Sequence, residues 1–176
     1  MSVINLNQTP TENVLRILGE TNATVVPYLS GLSVSDVREL VGGTGGRNTS
    51  VTVTALAGSG LQEGTRRDYN YIRLDLADDA TIGTFTGTVY VPDTAVQDQV
   101  EQQVLLAAGV HPDGVEFTNY VPLVEGDPDS EGSITMNPVA GSLLYVGSVV
   151  VELRPYVPTV ADVAPTVDLV GFTAPS

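Results

Sequence analysis

Cysteine, lysine and tryptophan do not occur in this chain, histidine occurs once and phenylalanine three times. Without cysteine there are no disulfides, thiolate nucleophiles or cysteine–zinc sites within the chain. Without lysine there is no Schiff base and no phosphate loop ending in Lys-Ser/Thr. Gly42–Gly46 is glycine-rich, but it precedes a strand pattern rather than a helix, so it reads as a connector. A serine triad would have to use His111 as its base, and no Gly-x-Ser-x-Gly elbow is present. His111 stands before Pro112-Asp113-Gly114, a strong turn signal, and is expected as a surface turn residue.

Basic charge is also scarce. The seven cations are all arginine (Arg16, Arg38, Arg47, Arg66, Arg67, Arg73 and Arg154), and the net charge is −14. That is a poor electrostatic footprint for nucleic acid or an anionic membrane. Long apolar runs are missing as well. The longest, from Leu143 to Val151, is interrupted by Gly147 and Ser148 and is too short to cross a bilayer. The start, Met1-Ser-Val-Ile-Asn-Leu-Asn, has neither the basic nor the apolar part of a signal peptide. Synthesis in a cytoplasm without membrane anchoring is the expectation.

What is present is β-rich. The 176 residues suit one domain with appendages and can bury a core without staples. Thr9-Pro10-Thr11-Glu12 predicts a helix start, with Val14, Leu15 and Leu18 on one face and Gly19 as stop. A second short helix is expected over Val34 to Val41, capped by Ser33, because Val34, Val37, Leu40 and Val41 share a helical face. After Gly46 the period becomes two. Strands are expected over Thr49–Ala57, Tyr69–Leu76 and Thr81–Val91. In the second, Ile72, Leu74 and Leu76 fall on one side.

One long helix follows, Thr94 to Ala108, with a core stripe of Val96, Val100, Val104 and Ala107. Val115–Val124 predicts a strand burying Val115, Phe117, Val121 and Leu123. Ser133–Met136 and Ser142–Leu153 predict a final pair, in which Val149-Val150-Val151 suggests cover on both faces. From Pro155 on, prolines interrupt Val, Asp and Thr in an extended tail. The fold class is therefore α+β and mainly β. It is expected as an antiparallel sandwich or barrel-like sheet with one packed helix, short N-terminal helices and an extended C-terminal arm. The division is 1–46 helical arm and linker, 47–154 β-rich core with one helix, and 155–176 Pro-rich arm.

Three other groups of residues bear on binding. Asp127, Asp129 and Glu131, with Gly132, space oxygen ligands as a calcium loop does, but the twelfth position is Pro138 and flanking helices are missing, so a solvated acidic loop is expected. Asn22-Ala-Thr24 and Asn48-Thr-Ser50 match the glycosylation pattern, which matters only in a secretory host. Tyr69, Tyr71, Tyr90, Tyr120 and Tyr145 fall on or near strands, where they serve packing, an interface, or both.

Arg47-Asn-Thr-Ser-Val-Thr-Val-Thr-Ala-Leu-Ala-Gly-Ser-Gly60, Tyr69-Asn-Tyr-Ile-Arg-Leu-Asp-Leu76 and Ser142-Leu-Leu-Tyr-Val-Gly-Ser-Val-Val-Val-Glu-Leu153 together resemble small β-rich virion structural proteins of large tailed bacteriophages. The resemblance implies a multi-copy particle component: a capsid decoration protein first, then a collar, tail or baseplate accessory protein. Its partners would be other virion proteins and copies of itself, and it would reside in the virion after assembly in the host cytoplasm. No enzymatic activity, catalytic residue, cofactor, metal, nucleic acid or membrane partner is expected. A carbohydrate-binding or adhesin-type module is the alternative.

Overall fold

The first helix, α1 (Pro10–Thr21), begins where its sequence caps it. In the computed structural model, which describes residues 3–78 and 85–156, Thr9 Oγ1 accepts from the Glu12 N–H at 3.2 Å and Glu12 Oε2 accepts from the Thr9 N–H at 2.7 Å. A 3₁₀ stretch, Ala23–Gly31, leads into β1 (Leu32–Glu39). β1, β2 (Thr49–Ala55) and β3 (Arg66–Tyr71) form an antiparallel three-stranded sheet in that order. Leu15 and Leu18 of α1 lie against Leu32, Val53 and Ala55 in a small core.

The helix expected over Val34–Val41 is therefore a strand. Asp36 has a positive φ of 51°, and the register with β2 shifts between Ser35 and Arg38. This bulge inserts a residue, so Val34 and Val37 stand three apart within a strand, which imitates a helical period. Val41 is exposed beyond the strand end. Gly42–Gly46 lies in the loop between β1 and β2, and the expected boundary after residue 46 falls inside that loop.

The second sheet is four-stranded, ordered β5 (Thr88–Val91), β9 (Val149–Pro155), β7 (Gly132–Pro138), β6 (Val115–Val121). β9 runs parallel to β5 and antiparallel to β7. A short parallel pair, β4 (Leu74–Asp75) and β8 (Tyr145–Val146), brings Tyr145 to the same core as Leu76. The second helix, α2 (Gln97–Ala108), sets Val100, Val104 and Ala108 on this core. Ile134, Met136, Val151 and Leu153 are fully buried beneath them; each such side chain contributes about 1.5–3 kcal/mol by leaving water. The mainly β, α+β architecture is as expected, and among the described residues no sheet closes into a barrel.

Several finer expectations are corrected. The strand expected over Tyr69–Leu76 is two strands in different sheets, because the chain leaves the first sheet after Tyr71; Ile72 is partly exposed while Leu76 is fully buried. Residues 79–84 of the strand expected over Thr81–Val91 lie outside the described residues. α2 starts at Gln97, with Val96 as its exposed N-cap and the Val96 N–H donating to Gln99 Oε1. The buried stripe is thus Val100, Val104 and Ala108, and Ala107 is exposed. A bulge at Asn119, φ 53°, turns Val121 outward. Val150 is 61% exposed, so β9 is covered on one face only. The tail from residue 157 on lies outside the described residues.

Candidate functional site

His111 is buried, 3% exposed, and not on the surface. Its Nδ1 accepts from the Asp113 N–H at 3.1 Å, which leaves Nε2 as the donor to the Gln8 carbonyl at 2.7 Å. Its own N–H donates to the Tyr145 phenol oxygen at 2.9 Å. Burial raises the Tyr145 phenol above its ordinary pKa, against the opposing pull of that N–H. Gly114 makes room for this arrangement: a Cβ there would lie 2.7 Å from the Tyr145 ring. Both ring nitrogens of His111 are thus bonded to backbone. The sole histidine fastens the N-terminal segment to the core and offers no base to a nucleophile.

The acidic loop is bound into the fold in a similar way. Asp127 Oδ1 accepts from the Asp129 N–H at 3.0 Å, and buried Ser130 Oγ accepts from the Val124 N–H at 2.7 Å. Glu131 pairs with Arg154, and the Gly126 N–H reaches Asp93 Oδ2 at 2.7 Å. Among the described residues no group of three or more His, Cys, Asp or Glu is placed to hold a metal ion.

Most of the tyrosines that sequence reading singled out are also engaged. Tyr71 Oη donates to the Leu143 carbonyl at 2.7 Å, and burial raises its pKa strongly despite Arg73 nearby. Tyr120 Oη donates to the Ala95 carbonyl at 3.0 Å. Tyr69 is half-buried, with the Arg67 guanidinium 5.6 Å from its ring centre. Tyr90 alone of the five is well exposed, at 64%. The two asparagines of the glycosylation pattern make hydrogen bonds within the chain. Asn22 Nδ2 donates to the Leu18 carbonyl. Asn48 accepts from the Arg73 N–H and donates to the Arg73 carbonyl, both at 2.8 Å. Arg73 continues to Thr49 Oγ1 at 2.5 Å and the Ser142 carbonyl at 2.8 Å, which joins the two sheets.

Sequence reading passed over Asn13, which is 1% exposed. Its Nδ2 donates to the carbonyls of Asn5, Gln8 and Thr9, and its Oδ1 accepts from the Asn5 N–H at 2.8 Å. The available signal was an amide beside Val14 on the apolar side of α1. It also passed over a charge division. Residues 1–73 carry six arginines and six carboxylates, whereas residues 74–176 carry one arginine and fifteen carboxylates.

The arginine-bearing half contains an elongated concave surface. α1 packs on β1 and on Val53 and Ala55 of β2 but leaves a groove along β3. Three hollows run end to end there, of about 310, 80 and 280 Å³. The first and second share Val14, Ile17, Asn70 and Tyr71; the second and third share Leu18, Val53 and Tyr69. Arg16 and Arg47 stand at one end, Arg66 and Arg67 at the other, and among the described residues no carboxylate lines it. Arg16 Nε is buried without a hydrogen-bond partner among the described residues. Among the described residues β3 pairs only with β2, so its outer edge presents alternate backbone N–H and C=O groups beside the groove. An apolar floor, an open strand edge and cationic ends fit an extended acidic segment.

A protein-family model described as a family of unknown function, DUF7941, matches residues 3–176. The comparison with curated proteins gives no match, and neither does the comparison with solved structures.

Proposed function

This chain belongs to the DUF7941 family, and we propose that it is a non-enzymatic, multi-copy structural protein of a tailed-bacteriophage particle. It acts through contacts with copies of itself and with other virion proteins. Capsid decoration ranks ahead of a collar, tail or baseplate accessory role. The observation that carries the reading is the groove along the open edge of β3, with arginines at both ends, in a chain whose other half is strongly acidic. An arginine-ended groove on a neutral half and a strongly acidic other half favour repeated head-to-tail contacts. The resemblance of three strand-and-turn segments to small virion proteins supplies the particle. The engagement of His111 with backbone on both ring nitrogens agrees with a structural role.

The test is electron microscopy of purified particles from the native source, labelled with an antibody against this chain. Regular labelling of the head, neck or tail is expected. Particles that carry no label, while the chain is abundant in the soluble fraction, would overturn the proposal.

A further inference from the structure

Resting on that reading, we infer that the groove along β3 receives residues 166–172 of a second copy as an added edge strand. The Tyr156 N–H donates to the Val91 carbonyl at the end of β5. Twenty residues follow Tyr156, a length that reaches up to about 60–70 Å when extended. They contain Asp162 and Asp168 and no basic residue, so their charge is opposite to that of Arg47 and Arg67 in the groove, where Arg16 already pairs with Glu20.

Within them, Thr166-Val-Asp-Leu-Val-Gly-Phe172 contains no proline and is bounded by Pro165 and Pro175. It is seven residues long, against six for β3, and rich in strand-forming types. A period of two puts Val167 and Leu169 on one side and Thr166, Asp168, Val170 and Phe172 on the other. On β3 the same alternation places Tyr69 in the groove, on the apolar side of the sheet. Arg66 pairs with Thr54 and Asp68 with Thr52, on the polar side. An added strand would thus set Val167 and Leu169 over the groove and Asp168 in the row that holds Arg66. Its backbone would satisfy the outward N–H and C=O groups of β3.

The test is sedimentation velocity on the full-length chain across a wide concentration range, with melting curves confirming that each variant folds. Wild type is expected to self-associate. Leu169→Asp and Arg66→Glu should each weaken association at least tenfold, and Asp168→Arg should restore it in the Arg66→Glu background. Amide exchange should slow along β3 as concentration rises. Association that all of these variants leave unchanged overturns this inference but leaves the structural role standing, since particle labelling tests that role separately. A chain that stays monomeric overturns the inference too. So does protection of β3 that is independent of concentration and lost in Leu169→Asp, because the segment would then lie on its own chain.

Discussion

Nε2 of His111 lies 2.7 Å from the carbonyl oxygen of Gln8, although 103 residues separate the two in the chain. Asn13 holds the same carbonyl from the other side, through Nδ2 at 3.2 Å. The segment ahead of α1 is therefore tied both to its own helix and to the turn before β6.

Replacing His111 with alanine removes the side-chain acceptor of the Asp113 N–H and leaves the Gln8 carbonyl held by Asn13 alone, beside the space the ring filled. An unpaired buried group costs about 1–3 kcal/mol. Urea unfolding should show a loss of that order, and amide exchange should quicken at Asn5 and Asn13. His111→Gln, which keeps a donor, should recover part of the loss. An alanine variant as stable as wild type would show that the tie is idle.

Val100 and Leu106 lie on opposite sides of α2, 1% and 77% exposed. Val100→Asp puts a charge among Ile134, Met136 and Val151 and should abolish soluble folding. Leu106→Asp should change stability by less than about 0.5 kcal/mol. Circular dichroism of the two purified variants decides this.

The Arg73 guanidinium bonds Thr49 Oγ1 and the Ser142 carbonyl, while its backbone N–H bonds Asn48. A hydrogen bond to a charged group contributes about 1.5–3 kcal/mol. Arg73→Met should therefore destabilise by about 2–4 kcal/mol and loosen the joint between the sheets. Calorimetry is expected to show one transition in wild type and two in the variant. A single, barely shifted transition would place the coupling elsewhere.

Acid and alkali act on different groups. The Asp68 pKa is lowered by its hydrogen bonds from Thr52 and Arg38, so its contribution is present above the unfolded value and is lost as pH falls through the folded one. An NMR titration should place the Asp68 midpoint below that of an ordinary aspartate, and Thr52→Val should raise it. Burial raises the Tyr145 pKa, so that contribution is complete below about pH 10, the ordinary tyrosine value, and fades as pH rises through the folded value. Tyrosine absorbance should show a fraction of phenols that ionise only as the protein unfolds. Tyr145→Phe should reduce that fraction.

Calcium should bind the loop 125–132 no more tightly than millimolar, because Glu131 is paired with Arg154 and Asp127 caps its own turn. Calorimetry giving micromolar affinity, lost in Asp127→Asn, would contradict this.

The elements legible in the sequence were those whose signals are local. The capping box at Thr9 and Glu12, the alternation of Val51, Val53 and Ala55, and the stop at Gly109 needed no distant partner. Misreadings arose where tertiary pairing rewrote the period. The bulges at Asp36 and Asn119 each add a residue, so Val34 and Val37 imitated a helix and Val121 was assigned to the wrong face. His111 was misplaced because its turn context is local, whereas the carbonyl that buries it belongs to Gln8. The groove was not legible at all. It exists because α1 stops short of β3, which no residue of either element announces alone.

The order β5-β9-β7-β6 puts the last strand of the described residues inside the larger sheet. Synthesis runs from the N-terminus at about 5–20 residues per second. α1 and β1–β3 are complete once Tyr71 has been made, and their pairings are between sequence neighbours. The larger sheet has no centre until Val149–Pro155 arrives, and β9 must then enter between β5 and β7. Non-local pairings of this kind close late and slowly. A translation product that stopped between residues 109 and 148 would be a formed small sheet trailing a strongly acidic segment, with the apolar faces of β5 and α2 left without β9.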